Sequence, residues 1–353
     1  MLRPHQLFVS AAITGCVWLA APALACAPAM EMGKSVSITG EEALIVWDAE
    51  RGVEHFIRRG EFRTDADDFG FLVPTPSPPE LSEVDNGVFD RLRSHIAPPI
   101  EYTHAWVPVT LCMTPFMVVF SAEPEVVMVS AAASGVEVLS TARVAGLDAT
   151  VVRSTDAEAL AGWLDERGYE NRPALVEWLR PYVDDGFVIT AFQFTKGDPG
   201  SGSVGNQAVR MSFETDRPFY PYREPSDHTD EPGRTLRVHV VATERAFPSL
   251  DGEQPGEWGA NELFAAPIEG AHGLLGDGLS SVGGELWLTS FLDSATLRES
   301  ADLRFEIQPA DEIRPEPIVV EGTPTMIPVP VEPALLLGGG IWWWRRRKAK
   351  TSA

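Results

Sequence analysis

The chain has 353 residues, 44% apolar and 22% charged, a globular balance that excludes a disordered polypeptide and allows one large domain or two ordinary ones. It sets 51 acids against 28 bases, a formal charge of −23. One base falls in the first 25 residues and five in the last nine, so the body between holds 22 bases against all 51 acids. Such a body repels phosphate backbones and anionic headgroups, which argues against nucleic acid as a partner and for solubility outside the cell.

The N-terminus reads as a secretory signal over residues 1–25. Arg3 supplies the positive start, and Leu7 to Ala21 is an uncharged apolar run of 15 residues, short for a transmembrane helix. Pro22 breaks it, and Ala23-Leu24-Ala25 offers a small-x-small cleavage site ending at Ala25. Two cysteines then remain, Cys26 and Cys112, and an even pair in an exported protein points to a disulfide. Lipid attachment to Cys26 competes for the same sulfur, although Leu24 stands one place late for that motif.

Residues 26–306 read as a single α+β body of mostly antiparallel strands. Down to Arg153 the period is two: "SVSITG", "EALIVWD" and "VEHFIRR" are strands divided by Gly40 and Gly52, and "FGFLVPTP" leads into a proline-rich loop. "THAWVPVTLCM", "FMVVFSA", "VEVLSTARVAG" and "ATVVRS" follow as further strands. Near residues 155–181 the pattern turns helical. Thr155 and Glu158 have capping-box spacing, and Leu160, Trp163 and Leu164 form one face ended by Gly168. Pro173 opens a second helix with Leu175, Trp178 and Leu179 on one face, ended by Pro181. Strands return in "GFVITAFQFTK", "QAVRMSFET", "TLRVHVVATER" and "GELWLTSFL". Few helices among many strands excludes a doubly wound parallel sheet.

Residues 307–333 are rich in Pro and Glu and read as an extended spacer. Residues 334–344, "ALLLGGGIWWW", form a short transmembrane or sorting segment, and residues 345–353 a basic cytoplasmic tail. Eleven helical residues span about 16 Å, short of the ~30 Å hydrocarbon layer, so thinning and snorkelling arginines are required. Bases after the apolar run favour a cytoplasmic C-terminus, with the body outside in the cell envelope and the membrane as partner.

Several segments together resemble bacterial domain-of-unknown-function family 2330: "CAPA", "GEEALIVWD", "EHFIRR", "FGFLVPTPSPPEL", "WLDERGY…WLRPYV", "FVITAFQF", "SFETDRPFYPYREP" and "LRVHVVATERA". The resemblance covers about residues 26–306. It implies an exported protein, often with a C-terminal membrane segment, and transfers no catalytic residue, because the family has no assigned activity. The tail resembles a PEP-CTERM type of sorting signal, with Val331-Glu332-Pro333 as its motif.

Chemical motifs are sparse. Gly200 to Gly205 spells G-x-G-x-x-G, but an alternating strand follows where a dinucleotide site needs a helix. Asp65, Asp67 and Asp68 have the spacing of half a calcium loop, yet Pro76 stands where its bidentate Glu belongs. Asp227, His228, Asp230 and Glu231 are the densest set of candidate metal ligands, read by preference as a solvated acidic loop. None of the mature histidines has helical zinc spacing, and Ser201 and Ser203 lack a nucleophile elbow, so neither catalytic residue nor cofactor is assigned. Phe219, Tyr220, Tyr222 and Arg223 are the candidate binding residues, able to stack on sugars or clasp a peptide, unless their rings plug the core edge. These features favour a non-catalytic binding or structural module. An exported hydrolase with a dispersed site and an accessory subunit of an envelope complex are the alternatives.

Overall fold

The computed structural model describes residues 28–30, 36–64, 68–103, 106–107, 136–169, 171–195, 203–205, 207–227, 234–251, 258–276, 279, 282, 284–295, 298, 300–321 and 325–326. In chain order the elements begin with β1 (Pro28–Met30), β2 (Val36–Asp48), β3 (Val53–Thr64), β4 (Asp68–Thr75), β5 (Glu80–Glu83) and α1 (Gly87–Ile96). There follow β6 (Ile100–Thr103), β7 (Trp106–Val107), β8 (Glu137–Val144), β9 (Leu147–Arg153), α2 (Ala157–Asp165), α3 (Pro173–Asp184) and β10 (Val188–Thr195). Next are β11 (Ser203–Gly205), β12 (Val209–Glu214), β13 (Phe219–Tyr220), β14 (Thr235–Ala242), β15 (Arg245–Leu250), β16 (Asn261–Ile268) and α4 (Ala271–Leu275). The series closes with β17 (Leu286–Asp293), β18 (Leu303–Gln308), β19 (Ile318–Glu321) and β20 (Thr325–Met326).

The described residues fall into two units. The larger runs to Ile96 and resumes through Ile313; the smaller takes in those from Ala97 to Val107 and from Arg314 onward. The smaller unit consists of two parallel strand pairs, β6 with β19 and β7 with β20. Two stretches of the Pro/Glu-rich segment are therefore strands.

In the larger unit a five-stranded sheet, β1-β4-β10-β9-β8, faces an eight-stranded one, β16-β17-β14-β2-β3-β12-β5, with β11 also on β3. All their pairings are antiparallel except β14 with β2. Alternation along each strand assigns the layers. Ala43 and Ile45 of β2 pack with Phe71 and Val73 of β4 and Phe192 of β10 between the sheets. Leu44 and Val46, pointing the other way, pack under Val88, Phe89 and Leu92 of α1 and Leu274 of α4. On the far side, Leu72, Val152 and Ile189 meet Leu160, Trp163, Leu175 and Trp178 of α2 and α3. The order is thus helices, sheet, sheet, helices. Each sheet is covered on both faces, which explains the unbroken apolar run "ALIVW" in β2. At Gly70 an added Cβ would lie 2.4 Å from Cε1 of Tyr169, so only glycine lets the helical layer approach β4 this closely.

The structure corrects several local readings. Gly40 does not divide two strands: it sits inside the continuous β2, just past a register shift between Ile38 and Gly40. The cap of α2 is Asp156, whose carboxylate accepts the N–H of Ala159 at 2.7 Å, not Thr155. Pro181 lies inside α3, which runs a further turn because Pro181 gives up only its own N–H while its carbonyl still accepts from Asp185. Helix α1 falls where the sequence reading had no helix. It is announced by Asp85 and Asn86 before the spacing Val88, Phe89, Leu92 and Ile96. The helix reading of residues 334–344 lies outside the described residues; among those described, no helix is long and apolar enough to cross a membrane.

The inter-sheet core also holds charge. Glu41 accepts hydrogen bonds from Arg58 Nε and the Tyr220 hydroxyl, both at 2.7 Å. Arg298 lies 3.8 Å from Glu41, 3.3 Å from Glu224 and 3.3 Å from Asp293. Arg234 also pairs with Glu224, and the Tyr222 hydroxyl donates to Asp293 at 3.0 Å. Three guanidinium groups therefore balance three carboxylates, and Arg298 and both its glutamates have side chains only 1% exposed. Burial favours neutral Glu41, but Arg58, Arg298 and Tyr220 more than offset it and hold the carboxyl below its usual range. Removing one partner from such a cluster strands a charge in a medium that cannot solvate it. Replacing Arg298 with Ala should cost about 3–5 kcal/mol in urea unfolding, whereas the exposed Arg217→Ala should stay within about 0.5 kcal/mol.

Candidate functional site

A hollow of about 700 Å3 opens at one end of the larger unit where several turns meet. Arg51 and Gly52 come from the β2–β3 turn, Ser77 from the segment after β4, and Thr215, Asp216 and Arg217 from the β12–β13 turn. Arg304 of β18 and Asp251 at the end of β15 form a further wall, and Phe187 adds an aromatic surface. The turns are locally determined. Gly52 has φ of +63°, which a side chain resists, and its carbonyl accepts the Thr215 N–H at 3.0 Å. Ser77 donates its hydroxyl to the Glu214 carbonyl at 2.7 Å, tying the third segment in.

Asp251 organises one side. Its carboxylate lies 3.5 Å from both Arg223 and Arg304, while Arg304 also covers the Phe219 ring at 4.5 Å. Behind it, Asp302 accepts from the Tyr182 hydroxyl at 2.8 Å and the Arg223 N–H at 3.0 Å. Burial raises the Asp302 carboxyl above its usual range, against the pull of the Arg223 N–H and guanidinium. Glu54, fully buried and near Arg304, is driven up further by burial, and the Phe219 N–H at 2.8 Å only partly restrains it. The hollow thus offers three guanidinium groups and the carboxylates of Glu214, Asp216 and Asp251 beside one aromatic ring.

Among the described residues there are two Ser–His pairs, and both are direct cross-strand neighbours. His55 Nδ1 is 2.8 Å from Ser212 Oγ between β3 and β12, and His239 Nδ1 is 2.7 Å from Ser290 Oγ between β14 and β17. Neither pair lines the large hollow. Asp48, the acid nearest in effect to His55, is itself hydrogen bonded to Arg51. Among the described residues no three potential ligands gather as a metal site.

The residues singled out from sequence are distributed as follows. Phe219, Tyr220 and Tyr222 are interior, 0%, 0% and 3% exposed, so their rings fill the core and cannot stack on a surface ligand. The alternating backbone of β13 sends Phe219 toward the helical layer and Tyr220 between the sheets. Arg223, half-buried, pairs with Asp251 in the hollow's wall, and Phe219 backs that wall from within beneath Arg304. Asp227 is engaged by Arg172. His228, Asp230, Glu231, Ala25, Cys26 and Cys112 lie outside the described residues. Sequence reasoning missed Arg51, Arg217, Asp251 and Arg304, which carry no motif and are spread over 250 positions of chain.

Fold and site define a class: an α+β protein of two facing, mainly antiparallel sheets between helical layers, with an ionic hollow built from turns. The chain belongs to the bacterial family described as "Uncharacterized protein conserved in bacteria (DUF2330)", whose profile matches residues 20–271. A comparison with curated proteins gives no match. Among solved structures, the crystal structure of baculovirus P35 is similar with a TM-score of 0.37 and 6% identity, over 78% of this chain and 98% of that one. So low a score carries no argument about function.

His239 makes a pH dependence predictable. Burial first, then Arg237 and Arg93, holds its imidazole down to about 3 from the ordinary 6.5. Below pH 6.5 the unfolded chain binds a proton that the folded chain refuses, so stability falls as pH drops from 6.5 toward 3. Urea unfolding of wild type against His239→Gln should show no change in their difference above pH 7. The variant should gain about 1.4 kcal/mol on wild type by pH 5.5 and about as much again per further unit.

Proposed function

We propose that this protein is an exported, envelope-anchored binding module whose body recognises a small polar ligand carrying both charges, such as an amino acid or peptide terminus. The observation that carries the reading is the charge balance of the large hollow: Arg51, Arg217 and Arg304 stand among Glu214, Asp216 and Asp251 beside Phe187. Opposed charges at fixed positions select a zwitterion by orientation, and a partly apolar wall adds contact area. The reading of location rests on the residue pattern of the two ends, an apolar stretch with a small-x-small site at the start and arginines after an apolar stretch at the finish.

The alternative of an exported hydrolase draws on His55 and Ser212, the half-buried Ser–His pair. Titration calorimetry of the full chain against a panel of amino acids and short peptides separates the two. The binding reading expects saturable uptake of a zwitterion, weakened about tenfold or more by Arg304→Gln and by Asp251→Asn, without turnover. Hydrolysis of an ester or peptide that Ser212→Ala abolishes would contradict it.

A further inference from the structure

A second hollow, of about 220 Å3, lies elsewhere in the larger unit and is lined by Gly40, Glu42, Arg59, Glu61, Arg93, Thr235 and Arg237, with Glu41. Strand register explains it. Arg237 of β14 and Arg59 of β3 both stand opposite Glu42 of β2, so the three side chains form one row across adjacent strands. The next row on that face is Thr235, Gly40 and Glu61. Its middle position has no side chain, which leaves the space open.

The backbone does not demand glycine there, because Gly40 is absent from the residues with positive φ. Nor does crowding, since an added Cβ would meet only the Glu61 carboxylate, at 3.5 Å. What the missing side chain does provide is access to guanidinium groups.

Three of them converge. Glu42 accepts from Arg59 and from Arg93 of α1, both at 2.5 Å, and lies 3.7 Å from Arg237. Arg93 also pairs with Asp90. The Glu42 side chain is 13% exposed, against 17%, 25% and 39% for Arg59, Arg237 and Arg93. The carboxylate is thus the deeper partner and the guanidinium groups present more surface to water. A guanidinium group carries five donors in a planar fork suited to oxyanions, and one carboxylate cannot occupy three such forks. The lining sets these three arginines against Glu42 at their centre, with Glu61 at the edge and Glu41 turned into the core, where it accepts from Arg58 and Tyr220.

We infer that the Arg59–Arg93–Arg237 hollow over Gly40 binds a small molecule through a single oxyanion group, a phosphate, sulfate or carboxylate. Glu61 at the far edge disfavours a second negative charge and suits a hydroxyl or ammonium group on the same ligand. This site is separate from the zwitterion hollow, with which it shares no lining residue.

Titration calorimetry and thermal unfolding of the full chain with inorganic phosphate, sodium sulfate or sodium acetate, at ionic strength fixed with sodium chloride, test the inference. Saturable binding of at least one of these is expected, weakened about tenfold or more by Arg237→Gln and blocked by Gly40→Val, which fills the hollow. The variant Arg93→Gln, changed on the helix rather than in the sheet, should weaken binding as well and serves if a strand variant fails to fold. Chloride stabilising as much as every oxyanion, or binding unchanged in the folded variants, would overturn it. Loss of zwitterion binding in Arg304→Gln with oxyanion binding intact would keep the two sites distinct.

Discussion

The arrangement depends on charge neutrality between the sheets. Both sheets are covered on both faces, so a polar group in the gap between them has no water to turn to. Glu41, Glu224 and Asp293 nevertheless lie there, made tolerable by Arg58, Arg234 and Arg298 and by the hydroxyls of Tyr220 and Tyr222. Coulombic attraction in such surroundings roughly offsets the cost of leaving water, whereas loss of one partner leaves the other charge uncompensated. Its members come from β2, β3, β13 and β17 and from the segments that follow β13 and β17. Those segments must dock in register to bring the three guanidinium groups and three carboxylates together.

That placement puts function at the margins. The aromatic stretch at Phe219–Tyr222 is spent on the interior, where Tyr220 packs edge-on against Phe56 and Tyr222 against Trp258. The residue after it, Arg223, emerges beside Asp251 and so links the core to the wall of the large hollow. On the opposite face of the eight-stranded sheet, α1 brings Arg93 onto the row of Arg59, Glu42 and Arg237. The large hollow is thus a meeting of turns with one ion-paired wall, and the smaller one a row of ion pairs set by strand register.

Much of the architecture was legible in the sequence, because burial leaves periodic traces. Runs of strand length and the two amphipathic helices around Trp163 and Trp178 announce an α+β body, and α2 and α3 pack as that spacing implies. Three things were less legible. Gly40 has the look of a strand boundary, yet β3 pairs with β2 on both sides of it and carries the strand through the glycine, where the pairing with β14 begins. Helix α1 is short, and its proline-rich surroundings hide a pattern that its cover over β2 makes sensible. The hollows could not be read at all, because ionic residues far apart in sequence meet only once the turns gather at one end of the sheets and the strands pair in register. Polar residues inside the core were equally hidden: Glu41 and Arg298 have the composition of surface residues.

The central claim is that Glu41 and Arg298 act as parts of one neutral cluster. A double-mutant cycle in urea, with Glu41→Gln, Arg298→Met and the pair combined, measures that directly. The account predicts that each single change destabilises and that the double variant loses about 1–3 kcal/mol less than the two losses taken together. Losses that add within about 0.5 kcal/mol would contradict it.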